Sequence, residues 1–498
     1  MDIGKEEFRK IGYHLIDQIA EFNAAIQNYP VTRGESSIEL SKFIGNENLP
    51  ENGVPLDGLV TRTMDLLTQH SLFNGHPKFM GFITSSPAPI GILADMVAAT
   101  INPNVSAHIL SPIATEIEKQ TIHWLSEFIG LPHPYSGLLV SGGNMANFTA
   151  FLAARTAKGS PDLKSEGLAT KGKSMISYCS LATHTWIEKA SSLFGHGTKS
   201  IRWIPTDDSN QMDLTCLEET IQADLKAGLQ PFLVVGTAGD VSTGVIDNLH
   251  GLSKVCKKYD LWFHVDGAYG APAAVLPELS EMFHGLNEAD SIALDPHKWL
   301  YIPLEAGCIL VKEANHLTAT FSSHPEYYNF GENQEGLAQN YYEYGLQNSR
   351  GFRALKVWMA LQQVGKSGYQ ELISRDIELS RMLFQLSAAH VELEAMTQNL
   401  SICTFRYIPE NFVGEAADYE PYLNTLNRLL LDSLQLGGDV FFSNAIVQHK
   451  YCLRACIVNF RTSKSDIHEI LEIVVREGKK LDAGLQKNKD KWEHLSKN

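Results

Sequence analysis

Two amphipathic helices are predicted within the first 78 residues, and neither has a core of its own. Apolar residues recur at helical spacing over residues 5–27, and a second helix is predicted near Asp57–Ser71. The stretch between them, from Tyr29 to Pro55, is rich in turn-forming residues and is typical of an extended connection. We therefore expect residues 1–78 to pack on something larger, such as a partner subunit.

Short apolar runs alternate with helical patterns between residues 79 and 365. Strand–helix alternation of this kind predicts an α/β domain with a mostly parallel central sheet. Ligands of such sheets bind at the carboxyl ends of the strands, so the residues that follow each run are the candidates for chemistry. The predicted strands are Gly137–Val140, Ser174–Tyr178, Phe232–Gly236, Leu261–Val265, Ser291–Leu294 and Cys308–Val311, with helices such as Asn147–Ala157 and Leu249–Lys258 between them.

The pattern changes again after about residue 365. Residues 366–498 predict a smaller α+β domain in which two strands with alternating polarity lie between helices. The predicted strands are Ile402–Tyr407 and Tyr451–Phe460, and the predicted helices are Tyr369–Ala389, Tyr422–Leu436 and Ser465–Leu485.

Composition is that of an ordinary soluble globular protein. The 498 residues are 44% hydrophobic and carry a formal net charge of −16, which disfavours nucleic acid and anionic membranes as partners. The charged N-terminus has no apolar core of a signal peptide, and no apolar run is long enough to span a membrane. The seven scattered cysteines contain no CxxC pair, so we expect reduced thiols, a cytoplasmic protein and no metal site.

A carboxylate and an amine follow two neighbouring predicted strands. Asp266 ends one strand, and Lys298, in the string DPHKW, follows the next strand 32 residues later, which is the length of one crossover. Pyridoxal 5′-phosphate (PLP) uses both groups, because a lysine binds its aldehyde and an acid keeps its pyridine nitrogen protonated. A lone lysine is usually a surface residue and a lone Asp can be a helix cap, but the pair favours PLP chemistry.

Three further strand ends supply weaker candidates. The string Ser-Gly-Gly-Asn, which includes Gly143 and Asn144, runs from a strand into a helix start and could bind a phosphate, although it could equally be a plain turn. Thr237 could contact the cofactor or only shape its turn. His184 could stack on a planar ring or could cap and pack a helix.

Taken together, these strings resemble the group II PLP-dependent decarboxylases, the family of aromatic-L-amino-acid decarboxylase. The most specific strings are HVDGAYGAP at 264–272 and ALDPHKWLY at 293–301, and the resemblance covers about residues 5–480. It implies the fold of type I PLP enzymes, PLP as the cofactor, and a homodimer with shared active sites. The N-terminal helices would then wrap around the partner subunit.

The resemblance assigns roles to residues around the cofactor ring. Lys298 matches the lysine that binds PLP as a Schiff base, and Asp266 matches the partner of the pyridine nitrogen. Ala268 would lie against the ring, and His184 would stack on it and take part in catalysis. Thr237 matches a hydroxyl near the ring oxygen.

A second group of matched positions surrounds the cofactor phosphate. Gly143 and Asn144 match the phosphate-binding turn, although the Asn is a mild departure from the family pattern. Asp295 stands where many relatives have Asn, and an anion there would repel the phosphate unless a proton or a water intervened. His297 matches the histidine that precedes the lysine.

The substrate side is assigned by resemblance alone. Thr84 matches a substrate-contacting threonine, and Arg350 matches an arginine near the substrate carboxylate, with Arg353 close by in sequence. Ser349 stands where plant relatives separate phenolic from indolic substrates, and serine goes with phenolic ones. Tyr327, with Tyr328 as the alternative, matches the loop tyrosine that returns a proton to the substrate carbon after CO₂ leaves.

We therefore expect a decarboxylase of an L-amino acid, with an aromatic substrate such as tyrosine or DOPA favoured. Acidic or diamino substrates remain open alternatives, as do aldehyde formation and transamination. In relatives that make aldehydes a phenylalanine commonly replaces the loop tyrosine, so Tyr327 favours simple decarboxylation. A cofactor-free interaction protein on a decayed scaffold would not need Lys298, Asp266 and His184 together.

Overall fold

The computed structural model describes residues 3–132, 135–168, 173–323 and 339–487. By their contacts, the residues form two compact units. The large unit comprises Ile83–Glu378 with Asn399–Ser401, and the terminal unit comprises Met1–Phe82, Leu379–Gln398 and Ile402–Asn498.

Helices and strands alternate through the middle of the chain, as the apolar pattern predicts. The described α-helices are α1 (Lys5–Ala25), α2 (Ser37–Ile44), α3 (Leu56–His70), α4 (Pro89–Ile101), α5 (Pro112–Phe128), α6 (Gly143–Lys158), α7 (Leu163–Glu166), α8 (Trp186–Leu193), α9 (Leu214–Lys226), α10 (Leu249–Tyr259), α11 (Pro296–Trp299), α12 (Ala314–Phe321), α13 (Ala354–Ala389), α14 (Tyr419–Gly437) and α15 (Lys464–Gln486). The described strands are β1 (Ser136–Val140), β2 (Met175–Ser180), β3 (Ile201–Ile204), β4 (Gln230–Thr237), β5 (Trp262–Asp266), β6 (Ser291–Leu294), β7 (Gly307–Val311), β8 (Leu393–Asn399), β9 (Ile402–Tyr407), β10 (Ser443–Val447) and β11 (Lys450–Cys456).

A mostly parallel sheet forms the centre of the large unit, which confirms the predicted fold class. Its strand order is β1-β7-β6-β5-β4-β2-β3. Strands β2 to β6 pair in parallel, whereas β7 runs antiparallel to both of its neighbours, β1 and β6. Strands β2, β5, β6 and β7 are buried along their whole length, which explains why they appear in the sequence as continuous apolar runs.

A smaller sheet of order β10-β11-β9-β8 belongs to the terminal unit. Strand β11 runs antiparallel to both β10 and β9. One apolar cluster fills the core beside this sheet, and its members include Phe405, Leu426, Leu430, Leu453 and Ile470. The α+β character predicted for the C-terminal region is therefore present.

Some elements differ from the sequence-based expectation. The connection predicted to be extended, Tyr29–Pro55, contains helix α2, which begins with a capping box between Ser36 and Glu39. That S-x-x-E pattern is visible in the sequence and was the signal for a helix start. Strands β3, β8 and β10 are not predicted by the apolar pattern; β3 is only partly buried and β8 is mostly polar.

The division into segments 1–78, 79–365 and 366–498 stays a prediction. The two compact units group residues differently, because the first 82 residues belong with much of the C-terminal region. Helix α13 does break at Gly365, where φ is +69°, and this break coincides with the predicted boundary between the last two segments. Among the described residues, no helix combines the length and the apolar character that crossing a membrane requires.

Candidate active site

The carboxyl ends of β5 and β6 lie side by side, as the 32-residue spacing predicts. Asp266, the last residue of β5, pairs with Ala293 on β6. Two backbone hydrogen bonds continue the pairing past the strand ends, from Gly267 N to Ala293 O and from Asp295 N to Ala268 O, each 3.1 Å long. The turn after Asp266 and the turn before Lys298 therefore form one surface.

Lys298 projects from a short, firmly anchored helical turn. Its Nζ lies 3.1 Å from Oδ2 of the buried Asp295, while 22% of the lysine side chain remains exposed. The next residue, Trp299, is fully buried, stacks on Tyr269 at a centroid distance of 5.0 Å and donates from Nε1 to Asp376. The anchoring of Trp299 fixes the turn and leaves the amine of Lys298 accessible.

The carboxylate of Asp266 is held by three N–H donors. Oδ2 accepts from Trp186 Nε1 at 2.8 Å and from Asn147 Nδ2 at 3.1 Å, while Oδ1 accepts from Ala268 N at 3.2 Å. Charge-assisted bonds of this kind stabilise a carboxylate anion. Because two donors converge on Oδ2, Oδ1 is the oxygen with capacity for a further donor.

A chain of hydrogen bonds behind Asp266 fixes the orientation of Asn147. Asn147 donates its amide to Asp266, so its Oδ1 must accept the 2.7 Å bond from His264 Nε2. His264 Nδ1 then accepts from Ser291 Oγ at 2.9 Å, and Ser291 accepts from Trp262 Nε1. Burial lowers the pKa of His264 to about 4, which is consistent with this neutral tautomer at pH 7.

The predicted phosphate turn lies against the same surface. Helix α6 begins at Gly143, whose N–H donates to Asp295 Oδ2 at 3.0 Å. A Cβ at this position would lie 2.8 Å from that oxygen and 3.2 Å from Ala268 Cβ, so only glycine fits without a shift. Asn144 follows in the first turn of the helix and is half-buried.

Thr237 lies at the end of β4 and pairs with Asp266 on the neighbouring strand. Its N–H donates to Asp247 at 2.8 Å, but its buried Oγ1 has no hydrogen-bond partner among the described residues. Oδ1 of Asp295 is a second buried oxygen that has no hydrogen-bond partner among the described residues. Buried polar atoms are nearly always satisfied, so two such atoms at one sheet edge indicate a polar ligand.

Two histidines flank the amine and the carboxylates. Burial lowers the pKa of His184, Lys298 lowers it further, and the negative charges of Asp266 and Asp295 act in the opposite direction. His184 Nδ1 accepts from Trp186 N at 3.3 Å, which places its proton on Nε2. His297 is buried, its pKa is lowered by that burial, and its Nε2 lies 3.7 Å from Asp295 Oδ2.

The residues predicted to contact the substrate differ in their burial and in their links to the lysine turn. Thr84 is half-buried and precedes Ser85, whose hydroxyl donates to the carbonyl of His297 at 2.9 Å, so its segment is tied to the lysine turn. Ser349 is exposed. Tyr327 and its alternative Tyr328 lie outside the described residues.

Arg350 is committed to partners within the chain. Its guanidinium forms a fully buried ion pair with Glu118, and it donates to the carbonyls of Val105 and Leu139 at 2.7 Å each. Glu118 in turn accepts from the N–H of Leu139 at 2.9 Å. Leu139 lies on β1, two residues before the phosphate turn begins, so the ion pair braces that strand. A contact of Arg350 with the substrate carboxylate stays a prediction that these bonds do not support.

Sequence reasoning missed the residues that hold Asp266. His264 shares a strand face with Asp266 because strand side chains alternate, and this was a usable signal. Trp186 and Asn147 gave no such signal, since only the folded chain brings them to Asp266 across 80 and 119 residues.

The comparisons with known proteins agree with this geometry. Residues 41–408 match the family model described as the pyridoxal-dependent decarboxylase conserved domain. The chain therefore belongs to the pyridoxal-dependent decarboxylase family, and it is a PLP-dependent carboxy-lyase.

Several relatives are similar over nearly the whole chain. An aromatic-L-amino-acid decarboxylase of Bacillus atrophaeus is 32% identical over 95% of both chains, and tyrosine decarboxylase 3 of Petroselinum crispum is 30% identical over 91% of this chain and 88% of its own. A crystal structure of Oryza sativa TDC with PLP and tryptamine has a TM-score of 0.89 at 25% identity, covering 98% of this chain and 99% of that one.

The residues present fit the PLP cofactor. The capacity of Asp266 Oδ1 for a further donor suits a protonated ring nitrogen. Thr237 Oγ1, which has no partner within the described part of the chain, suits a polar atom of the ring or phosphate. The start of helix α6 at Gly143 favours an anion, because its backbone N–H groups point outward from the helix. The accessible amine of Lys298 completes the set.

The buried ion pair of Arg350 predicts a large difference between two neighbouring arginines. We expect Arg350→Met to lower the free energy of unfolding by about 3–5 kcal/mol, because Glu118 would be left as an uncompensated buried charge. Arg353→Met is the matched control, since the partner of Arg353, Glu305, is half exposed, and we expect a loss below about 1 kcal/mol. Urea unfolding of both variants measures this, and equal losses would contradict the assigned role.

Proposed function

We propose that this enzyme decarboxylates aromatic L-amino acids, with a phenolic substrate such as tyrosine or DOPA preferred. The observation that carries the proposal is full-length similarity to relatives named for aromatic and tyrosine decarboxylation. Ser349, at the position where serine goes with phenolic substrates in plant relatives, adds support. Acidic and diamino amino acids are the alternative substrates.

Bound PLP supplies an electron sink for the pair of electrons left behind when CO₂ leaves. We propose that Lys298 would hold the cofactor covalently and that Asp266 Oδ1 would accept a hydrogen bond from the protonated ring nitrogen. The three N–H donors stabilise the negative charge of the Asp266 carboxylate and fix its orientation. Gly143, Asn144, Asp295 and His297 would surround the phosphate, and Ala268 would lie against the ring.

The amine of Lys298 is freed for chemistry when a proton leaves it. Oδ2 of Asp295 lies 3.1 Å from Lys298 Nζ and can receive that proton. His184 has a lowered pKa and is therefore mostly neutral at pH 7. Its face can stack on a planar ligand, while its Nε2–H, which lies in the ring plane, can donate to an acceptor beside the ring. We propose that His184 positions the ring and that Thr84 contacts the substrate.

The loop tyrosine, Tyr327 or Tyr328, is the proposed donor of the proton that replaces CO₂ on the α-carbon. A phenol near its ordinary pKa of about 10 can protonate a strongly basic carbon. Aldehyde formation is the rival outcome, and it consumes O₂ and releases ammonia and peroxide. A tyrosine at this position favours the amine product.

A second copy of the chain is the proposed partner. In the large unit, helix α4 and the segment after it expose apolar side chains that a monomer would leave in water, namely Leu93, Met96, Val97, Ile101, Leu110 and Ile113. Apolar patches of this kind mark subunit interfaces. We also propose a cytoplasmic location, which agrees with seven free cysteines, six of them buried.

A substrate panel tests the proposed specificity. We expect tyrosine and DOPA to release CO₂ with a kcat/KM at least about tenfold above tryptophan, glutamate and 2,4-diaminobutyrate, because a site that hydrogen-bonds a phenolic hydroxyl discriminates against substrates that lack it. CO₂ release from each labelled amino acid measures this. A preference for glutamate or diaminobutyrate would overturn the substrate proposal, and the absence of release from every amino acid, with PLP bound, would contradict the proposed reaction.

The assignment of the loop tyrosine is tested by a matched pair of variants. We expect Tyr327→Phe to shift the product from amine towards aldehyde, with ammonia and peroxide in equal amounts, because the α-carbon loses its proton donor. Tyr328→Phe should keep the amine as the main product. Product analysis by mass spectrometry, with a peroxide assay, distinguishes them; aldehyde from Tyr328→Phe alone would assign the role to Tyr328 instead.

A further inference from the structure

Three metal-ligating side chains lie together in the large unit, and none of them belongs to the active-site residues described above. His250 lies in the first turn of α10, and His284 and Glu288 lie on the crossover between β5 and β6. Their ligand atoms are all within 4.8 Å of one another. His250 Nδ1 lies 2.9 Å from Glu288 Oε1, and the rings of His250 and His284 stack at a centroid distance of 4.1 Å.

The backbone holds these residues together through a close approach at Gly285. Gly285 has φ of +99°, and a Cβ there would lie 2.5 Å from His250 N and 2.6 Å from His250 Cα. Only glycine permits this contact, which brings the neighbouring His284 against α10. Glu288 then follows within one turn, with its N–H donating to Gly285 O at 3.0 Å. The three ligands therefore come from two segments in direct contact.

The carboxylate of Glu288 is oriented as a metal ligand would be. Its Oε2 accepts from Ser253 Oγ at 2.9 Å and pairs with Lys257, while its Oε1 faces His250. Outer hydrogen bonds that fix a ligating carboxylate are typical of metal sites. Lys257 contacts the same oxygen as Ser253, and Oε1 is the oxygen next to His250.

We propose that His250, His284 and Glu288 form a binding site for Zn²⁺ or a similar first-row divalent ion. Two imidazoles and one carboxylate, with a fourth position left for water, are a donor set that Zn²⁺ prefers, whereas Ca²⁺ and Mg²⁺ prefer oxygen ligands alone. Metal–ligand bonds of about 2.0–2.2 Å require ligand atoms roughly 3.3 Å apart, so one side chain must move inward. His284 is exposed, so its ring can leave the stack on His250 and turn a nitrogen towards Glu288.

The proposed ion would crosslink helix α10 to the segment between β5 and β6. The expected effect is therefore on stability, because an ion that binds only the folded chain raises its unfolding temperature. The proposed site differs from the sequence-based expectation of no metal site, because its ligands are histidines and a glutamate and include no cysteine.

Equilibrium dialysis of the PLP-loaded enzyme against Zn²⁺, after chelator treatment, tests the site. We expect wild type to bind one more Zn²⁺ per chain than His284→Ala, or to bind it at least tenfold more tightly. His468→Ala is the matched control, since His468 is exposed on α15 and outside the cluster, and it should bind as wild type does. His250→Ala is a second variant and should lose the same ion.

Thermal unfolding of the same proteins provides a readout independent of activity. We expect Zn²⁺ to raise the unfolding temperature of wild type and His468→Ala in a concentration-dependent manner, and to have no such effect on His284→Ala or His250→Ala. Identical Zn²⁺ binding and identical thermal shifts in wild type and both cluster variants would overturn the proposal and leave an ion-pair cluster with Lys257.

Discussion

The carboxylate of Asp266 sits at the meeting point of three elements, and the active site depends on how it is held. Trp186 on α8 and Asn147 on α6 both donate to Oδ2, and the backbone of Ala268 donates to Oδ1. An unpaired buried charge would cost several kcal/mol, so these donors are what makes a carboxylate at the end of a buried strand tolerable. They also leave one oxygen directed at the space where a ring nitrogen can bind.

The rest of the site is arranged by the same strand ends. Hydrogen bonds continue the pairing of β5 and β6 beyond their last residues, so the turn that carries Lys298 is fixed relative to Asp266. The burial of Trp299 against Tyr269 anchors that turn, and Asp295 meets the charge of the lysine. Different residues therefore anchor the turn and react: Trp299 is buried and fixes the turn, while the side chain of Lys298 is partly exposed.

Much of the fold could be predicted because its signals are local. Continuous apolar runs marked the buried strands β1, β2, β4, β5, β6 and β7, and the position of Asp266 and Lys298 after such runs identified the site. The missed strand β8 is mostly polar, so no apolar pattern could reveal it. The side-chain partners Trp186 and Asn147 lie 80 and 119 residues from Asp266, and Glu118 lies 232 residues from Arg350. Pairings over such distances follow from tertiary packing, which a single sequence does not display.

The protonation state of the cofactor ring tests the role of Asp266 most directly. Nuclear magnetic resonance of the enzyme loaded with PLP labelled with ¹⁵N at the pyridine nitrogen reports whether that nitrogen carries a proton. We predict a protonated nitrogen in wild type and an unprotonated one in Asp266→Asn, with PLP still bound to Lys298 in both. An unprotonated nitrogen in wild type, or the same chemical shift in both proteins, would contradict the role given to this carboxylate.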